Sequence, residues 1–343
     1  MQRKIVKRQK LLNHEGELNE SGYATELILD YNRKDIKAHF YRIKEWDYYL
    51  ISNDKYAVAL TVADNSYMGL ISVSLLDFQQ ATFKTTSIIK PFTFGKLNLP
   101  STSKIGDILY RDKRVDIEFL HEGNSRRLKC KMKKFDRKKS FQCDFILSKE
   151  PEDSMVIATP FIEDPKAFYY NQKINGMIAE GVAISGDKEY HFHRDTTFGT
   201  LDWGRGVWTY KNTWYWGSAS GRVNGKSFGF NTGYGFGDTT AASENMLFYE
   251  GIAHKLDSVT FHIPFQDGKY AYMVPWTFSS SDGKFEMNFK PILDRNDFTS
   301  IGIISSDQHQ VFGLFNGKAI LDDGSTIEVK NLLGFAERVH NRW

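Results

Sequence analysis

Short runs of β-branched and aromatic residues, separated by Gly, Asn and Asp, recur along almost the whole chain, whereas helical periodicity is scarce. The run from Lys55 to Leu76 divides at residues 63–66, a turn cluster between two β-rich halves. Asn224-Gly225 lies between two apolar runs and is a strong hairpin signal, because these residues tolerate the positive φ that such turns require. Many short strands at this spacing are typical of barrels and sandwiches. The sequence therefore predicts an all-β protein.

Two runs in the first half, Leu128–Phe135 and Ser140–Leu147, are predicted to form a hairpin around residues 136–137. Counting outward from this turn places Cys130 opposite Cys143. Because these are the only two cysteines, the chain is neither a disulfide scaffold nor a multi-cysteine metal site. In a reducing compartment two packed thiols are favoured over a disulfide. The nine Lys or Arg between 126 and 139 are interpreted as a solvated strand face and a charged turn.

The domain organisation is predicted from length and composition. A chain of 343 residues suits two β domains of ordinary size. Residues 148–176 contain three prolines and little alternation, which is typical of a connector. Six of the seven Trp follow this segment. We therefore predict an N-terminal β-barrel-like domain over 1–175 and a C-terminal one over 176–343, as antiparallel barrels or curved sheets packed together.

Charge and hydropathy exclude several classes of protein. The net charge of +3, from 45 basic and 42 acidic residues, lacks the basic bias of a nucleic-acid binder. No apolar run has the length of a membrane span, and the basic first residues lack the apolar core of a signal peptide. We therefore expect a cytoplasmic protein without stable membrane insertion or a nucleic-acid partner.

The densest group of chemistry-bearing residues lies within 191–221, which holds two His, two Asp, two Arg and four Trp. His191 and His193 share one face if this segment is a strand, and a third ligand such as Asp195 or His340 would complete a metal site. No recognised metal spacing follows, so we favour an imidazole pair in hydrogen bonds. Neither a metal nor a cofactor is predicted.

Aromatic residues in the same segment have equal parity: Trp208, Tyr210, Trp214 and Trp216. On an extended strand they would line one face. Such a face is either the wall of a binding site for a small molecule or ordinary core. Composition does not separate these two interpretations.

Asp202 and Arg205 are three residues apart, and Gly204 and Gly206 flank Arg205, in a segment that we expect to turn tightly. The pair is interpreted either as a brace for this turn or as a functional group, because a buried ion pair adds little stability. A buried Asp202 would have a raised pKa and would act as an acid.

The Gly-rich stretch 231–238 lacks the helix that a nucleotide loop needs, so its glycines are expected to permit bends or close approach of a ligand. The polar C-terminus ends in Trp343, which we expect to dock.

Four stretches together resemble the domain-of-unknown-function family numbered 2804. They are LDWGRGVWTYKNTWYWGSASG (201–221), FGFNTGYGFGD (228–238), SENMLFYEG (243–251) and GFAERVHNRW (334–343). The resemblance extends over almost the whole chain, and the motifs are specific in combination. No activity is established for that family as a whole.

The architecture is more remotely similar to a two-barrel, lipocalin-like group that includes carotenoid 1,2-hydratases, tocopherol cyclase and fungal Diels–Alder cyclases. This resemblance implies two calycin-type antiparallel barrels or half-open sheets and an apolar ligand cavity near their junction. It also implies protonation or cyclisation of unsaturated apolar molecules, where the group has chemistry.

Our first hypothesis is therefore a lipocalin-like protein that encloses a largely apolar small molecule and transforms it by acid–base chemistry, as a hydratase, isomerase or cyclase. Asp202 is the candidate acid, oriented by Arg205, with Glu337 or His340 as partner. The candidate ligand-binding residues are Trp203, Trp208, Tyr210, Trp214, Trp216, Asn231, Tyr234, Asp238, Glu244 and Asn245.

Three alternatives remain open. The same residues suit a non-catalytic carrier, in which the carboxylates titrate normally. They also suit a carbohydrate-active enzyme with Trp platforms and two carboxylates drawn from Asp202, Asp238, Glu244 and Glu337. A structural protein whose motifs only hold two barrels together is the third. The sequence does not decide the oligomeric state.

Overall fold

The protein, described here by a computed structural model over residues 2–301 and 304–342, is all-β. Two short 3-10 helices, Arg33–Asp35 and Phe40–Arg42, are the only helical turns in these ranges, and no helix there has the length and apolar character that a membrane span requires. The strands are β1 Gln9–Lys10, β2 Gly22–Ala24, β3 Leu29–Asp30, β4 Ile43–Ser52, β5 Tyr56–Asp64, β6 Met68–Asp77, β7 Thr82–Pro91, β8 Ile108–Arg111, β9 Val115–Glu122, β10 Ser125–Asp136, β11 Lys139–Ser148, β12 Met155–Phe161, β13 Asp164–Ser185, β14 Lys188–Phe192, β15 Phe198–Val207, β16 Lys211–Val223, β17 Lys226–Tyr234, β18 Met246–Tyr249, β19 Ile252–Lys255, β20 Val259–His262, β21 Phe265–Gln266, β22 Lys269–Tyr270, β23 Trp276–Ser280, β24 Phe285–Ile301, β25 Ile304–Ile320 and β26 Thr326–Arg342.

Most strands belong to two large sheets. The first sheet has the order β7-β6-β5-β4-β15-β13-β11-β10-β9-β8, with β12 and β14 also paired to β13 and β2 paired to β12. The second has the order β19-β18-β17-β16-β26-β25-β24-β23-β20. Each curls into an antiparallel half-barrel, which confirms the predicted fold of two lipocalin-like units.

The chain passes from the first sheet to the second between Val207 and Lys211. The boundary predicted at 175/176 falls inside β13, both halves of which pair within the first sheet. The segment predicted as a connector contains β12 and most of β13. Gly176, at φ +83°, lies where the register of β13 shifts against β15. This irregularity of β13 is a β-bulge inside the first sheet.

The two sheets pack against each other through the faces that point away from their own half-barrel interiors. From the first sheet Tyr48 and Leu50 enter this contact, and from the second Trp216, Phe312 and Phe335. Strand alternation turns the intervening residues of each strand toward the interior of their own half-barrel. The junction between the sheets is therefore a second buried layer, which polar as well as apolar side chains reach.

The predicted hairpin of β10 and β11 is confirmed, with Cys130 directly opposite Cys143. Both thiols are buried and free. Burial raises the pKa of each thiol well above its usual range, so little reactive thiolate forms. We expect neither thiol to react with a water-soluble disulfide reagent at pH 8 until the protein is unfolded. Fast release of the chromophore from native protein would contradict this burial.

Candidate functional site

A buried carboxylate on β15 lies at the junction between the two sheets. Asp202 accepts hydrogen bonds or an ion pair from three nitrogen donors: Asn171 Nδ2 at 2.6 Å, Lys173 Nζ at 3.0 Å and Trp46 Nε1 at 3.1 Å. A Cβ at Gly204 would overlap the Trp46 indole, so glycine at that position lets the ring cross β15 and reach Asp202. Three N–H donors around one side chain suit a charged carboxylate.

Lys173 links this carboxylate to a second one from the other sheet. It lies on β13 directly opposite Asp202 in the strand register, and its side chain is 4% exposed. Its Nζ is 3.9 Å from Glu244 Oε2 and 4.1 Å from the centre of a Trp216 ring. A single buried cation therefore stands between two carboxylates and against an aromatic face.

Glu244 is held close to the β17 backbone by its neighbours. A Cβ at Gly233 would lie 2.8 Å from Glu244 Cδ, so glycine leaves room for the carboxyl group. Asn231 donates to the Glu244 carbonyl at 2.8 Å and accepts from Trp216 Nε1 at 2.7 Å. Burial raises the pKa of Glu244, while Lys173 opposes the rise. The Gly-rich stretch thus serves close approach of a side chain.

Glu337 brings a third carboxyl group to the junction from β26. It accepts hydrogen bonds from Trp214 Nε1 at 2.7 Å and Gln310 Nε2 at 2.9 Å. Burial raises the pKa of Glu337 to about 7, against the lowering effect of the Trp214 hydrogen bond and of the charges on Arg295 and Lys173. The charge of Asp202 raises it further. A substantial fraction of Glu337 is therefore a neutral acid near pH 7, beside groups that carry charge.

An aromatic cluster borders these charged groups. Ring centres are 5.2 Å apart for Trp46 and Trp208, 4.9 Å for Trp208 and Phe236, 5.3 Å for Trp214 and Phe236, and 4.8 Å for Tyr169 and Phe236. Trp46 and Trp214 are half-buried, so the cluster extends from the buried carboxyl groups to the surface. Because the rings contact one another, a ligand that reaches the carboxyl groups on this side must separate them.

The structure brings part of the predicted set together at the junction. These residues are Asp202, Trp208, Trp214, Trp216, Asn231, Glu244 and Glu337. Asn245 follows Glu244 and accepts from the Gly233 backbone N–H at 2.7 Å, so it braces the same loop. The roles of these residues in binding or catalysis stay predictions, which the geometry makes specific.

The predicted partnership of Asp202 with Arg205 is wrong, because residues three apart on a strand lie on opposite faces. Arg205 points into the first half-barrel, where it is fully buried. Its guanidinium donates to Asp47 at 3.0 Å and to the backbone carbonyls of Trp46, Gly204 and Pro100. Trp203 lies on the same inner face, 4.3 Å below the guanidinium. Both residues are therefore set apart from the junction.

Other predicted residues also lie away from the carboxyl groups. His340 and Tyr234 lie on the inner face of the second sheet, where Thr213 Oγ1 contacts His340 Nδ1 at 2.7 Å and Tyr234 stacks on Tyr215. Asp238 bonds Thr240 in its own turn. Tyr210 is 52% exposed in the connection between β15 and β16. His340 is thereby excluded as a direct partner of Asp202 in this arrangement.

The histidine pair of β14 and the following turn stacks with ring centres 6.2 Å apart. His191 Nε2 is 3.2 Å from Glu189. Within residues 2–301 and 304–342 no group of three or more His, Cys, Asp or Glu is arranged to hold a metal ion. Trp343 lies outside the described residues, so its docking stays a prediction.

Sequence reasoning missed several members of the site, above all Lys173. Residues 171–173 of β13 are Asn, Gln and Lys, and all three are buried. They lie between aromatic residues on one side and Ile174 on the other, which was the available signal, but the segment was interpreted as a connector. The other residues missed at the junction are Trp46, Tyr48, Tyr169, Phe236, Arg295 and Gln310.

A concavity of about 490 Å³ lies elsewhere, over β9 to β11. Its charged residues pair with one another, as Arg127 does with Asp144 at 2.8 Å and Arg111 with Asp116 at 2.7 Å. None of the carboxylates and cationic side chains that line it is buried. The junction, where buried carboxyl groups come together, therefore remains the better candidate site.

The raised pKa of Glu337 predicts a pH dependence of stability. Between pH 4.5 and about 7 the folded protein holds a proton at Glu337 that the unfolded chain has lost. The free energy of unfolding therefore falls as the pH rises through this window, by about 3 kcal/mol in total from this group. Urea unfolding at pH 5 and pH 8 should show this loss in the wild type and its absence in Glu337→Gln. Equal pH dependence of both proteins would contradict the raised pKa.

The chain belongs to the family described as domain of unknown function DUF2804, whose sequence profile matches residues 2–343. No curated protein matches the sequence. Two solved structures share the fold. Kievitone hydratase from Nectria haematococca is 10% identical, with a TM-score of 0.53 and 88% of each chain covered. A candidate AttH protein from Nitrosomonas europaea is 14% identical, with a TM-score of 0.52, 90% of this chain and 96% of that one covered.

Proposed function

We propose that this member of the DUF2804 family is an acid–base enzyme that protonates an unsaturated, largely apolar small molecule at the junction of its two half-barrels. One observation carries the proposal: Glu337, whose pKa is about 7, is buried beside the Asp202–Lys173 ion pair and the aromatic cluster. A proton donor needs a pKa near the working pH. The fold that the chain shares with a hydratase supports this class of reaction.

In the hydration that we propose, the Glu337 carboxyl group gives its proton to one carbon of a C=C bond. The neighbouring carbon becomes electron-deficient and bonds to the oxygen of water, whose proton passes to the Asp202 carboxylate. The alkene and water form an alcohol, and the protein is left with a deprotonated Glu337 and a protonated Asp202. Proton exchange between these groups restores the starting state. Lys173, whose Nζ lies 3.0 Å from Asp202 Oδ1, holds the Asp202 side chain in position for this step.

Isomerisation and cyclisation begin with the same protonation. Loss of a different proton to Asp202 moves the double bond. Attack by a second double bond on the cation closes a ring, and the new cation that results loses a proton to Asp202. Aromatic faces stabilise a passing cation electrostatically, which is a role for Trp214 and Trp216. Protonation of the substrate by Glu337 is therefore the shared first step, and the structure of the substrate determines which of the three products forms.

The test is incubation of the protein with unsaturated apolar compounds, first kievitone and then isoprenoid polyenes, in D2O and separately in H218O. Mass spectrometry identifies hydration and deuterium incorporation, and proton NMR of the isolated products separates isomerisation from cyclisation. Hydration adds the mass of water with 18O, isomerisation incorporates deuterium alone, and cyclisation also incorporates deuterium but changes the number of double bonds. Any of these products supports the proposal, whereas compounds bound without conversion support the alternative of a carrier.

Burial disfavours the carbohydrate alternative. Asp202, Glu244 and Glu337 are each less than a tenth exposed, while sugar polymers need a cleft open to solvent. Denaturing extraction of protein purified from its own host, followed by mass spectrometry, tests this directly. A retained sugar would contradict the proposed substrate class.

A further inference from the structure

Four aromatic side chains form an exposed patch on the first half-barrel. Phe40 and Tyr41 lie in the 3-10 helix before β4, and Phe92 and Phe94 lie in the loop after β7. They are between 38 and 65% exposed, yet their rings contact one another, with centres 5.1 Å apart for Phe40 and Phe94 and 5.9 Å for Phe92 and Phe94. Contiguous exposed apolar surface of this kind marks an interaction site. We name these four residues the aromatic patch.

The loop that presents the patch is rigid and conformationally unfavourable. Phe92 and Phe94 have φ of +56° and +47°, a region that bulky residues avoid. Buried Asp64 fixes the loop by accepting from Thr93 Oγ1 and from the backbone N–H of Gly95, both at 2.9 Å. The fold thus keeps two Phe rings exposed, although their positive φ is unfavourable and apolar surface in contact with water costs free energy. Such features persist where the surroundings impose them, and they concentrate at functional sites.

The surroundings of the patch are basic. Segments 33–42 and 89–98 carry six Lys or Arg and a single acidic residue, Asp35, whose carboxylate is 4.0 Å from Lys10. Three of these bases already pair with acids: Arg33 with Glu45, Arg42 with Asp164 and Lys90 with Asp112. The remaining three, Lys34, Lys37 and Lys96, are exposed. The patch therefore presents aromatic rings within a rim of positive charge.

We propose that the aromatic patch docks this protein on the surface of an anionic lipid bilayer. Aromatic rings favour the interfacial zone of a bilayer, and lysines beside them are attracted to anionic headgroups. The charge favours this partner over a second copy of the chain, because two such rims would repel each other. Arg42, next to Tyr41, donates to the Trp208 carbonyl at 2.8 Å, so the patch adjoins the aromatic cluster of the junction. An apolar molecule dissolved in the bilayer would meet the protein on the side of its candidate site.

The test is sedimentation of the full chain with vesicles of phosphatidylcholine, alone or with 30% phosphatidylglycerol. We expect at least tenfold stronger binding to the anionic vesicles, and loss of that difference in high salt. The double variant Phe92→Asn/Phe94→Asn should weaken binding at least tenfold. Asn tolerates positive φ, so this variant should fold at least as well as the wild type. Phe298→Asn, which removes a 71% exposed Phe from the second sheet, is the matched control and should bind normally.

The charges are tested separately. Lys34→Gln, Lys37→Gln and Lys96→Gln should each weaken binding to anionic vesicles about fivefold. Equal binding to both vesicle types, or equal loss in Phe298→Asn and the double variant, would overturn the proposal. Monomerisation of a wild-type dimer by the double variant, without any vesicle binding by the wild type, would assign the patch to self-association instead. No substrate enters these measurements, so their failure is independent of the proposed reaction.

Discussion

Replacing Lys173 by Met is expected to destabilise the protein by about 3 to 5 kcal/mol at pH 8. The ammonium group lies 3.0 Å from Asp202 and 3.9 Å from Glu244, with 4% of the side chain exposed. Without it two buried carboxylates face each other across the junction with no cation between them. Removing one member of a buried ion pair costs this much because the remaining charge has already lost its water. Urea unfolding measures the effect against the wild type.

Two further variants show whether the loss of stability in Lys173→Met comes from the missing charge or from lost packing. Lys131→Met, on the exposed face of β10, should change stability by less than about 0.5 kcal/mol. Lys173→Met/Asp202→Asn removes one of the stranded charges and should recover much of the loss. The deficit of Lys173→Met should also shrink as the pH falls toward 5, because the stranded carboxyl groups then bind protons in the folded state. A deficit that is equal at pH 5 and pH 8, with no recovery in the double variant, would show that packing and not charge is responsible.

Local pattern was sufficient for much of the fold. Turn chemistry at Asn224-Gly225 located the β16–β17 hairpin, and symmetric counting gave the register of Cys130 and Cys143. These are short-range features, since a hairpin's register follows from its own turn. The sheet to which each strand belongs depends on partners far apart in sequence, as with β4 and β15. That information is absent from any single segment, which is why the passage from one sheet to the other was placed too early.

Part of the candidate site was predicted from the sequence, and the two residues wrongly placed beside Asp202 share one cause. Arg205 was predicted to orient Asp202 because the two lie three residues apart and are chemically complementary, and Glu337 and His340, also three apart, were offered as alternative partners of Asp202. Residues three apart on a strand lie on opposite faces, so Asp202 and Glu337 enter the junction whereas Arg205 and His340 enter half-barrel interiors. Trp214 and Trp216, two apart, were placed on one face and indeed both reach the junction. Strict use of the alternation of faces along a strand would have removed Arg205 and His340 from the set of candidate site residues.

Lys173 shows what parity alone does not supply. Its importance arises from Asp202 on a neighbouring strand and from Glu244 in the loop that joins β17 to β18 of the other sheet. The three carboxyl groups near this lysine also explain why the proposed proton donor is Glu337 and not Asp202, the acid predicted from the sequence. Asp202 holds the close ion pair with Lys173, while Glu337 accepts hydrogen bonds from the neutral donors Trp214 and Gln310 and has a pKa of about 7. Two carboxyl groups in unlike surroundings are the arrangement that divides a proton donor from a charged partner.

Replacing Glu337 by Gln is expected to lower the rate of the proposed protonation at least a hundredfold, because the amide cannot donate the proton. Gln keeps an oxygen that can accept from Trp214 Nε1, so the position of the side chain is preserved. Removal of a buried ionisable group should leave the fold at least as stable at pH 8. The wild-type rate should fall as the pH rises through about 7, since only protonated Glu337 donates. The measurement is product formation in D2O with the substrate that the compound screen identifies.

Glu328→Gln is the matched control for this variant, because it makes the same chemical change at an exposed position of the same strand. Its rate and pH profile should equal those of the wild type. A slow Glu337→Gln variant with an unchanged KM would assign Glu337 to the chemical step and not to binding. If Glu337→Gln instead retained the wild-type rate and pH profile, Glu337 would be excluded as the donor. The buried carboxyl group would then serve to hold Trp214 and Gln310 in place between the sheets.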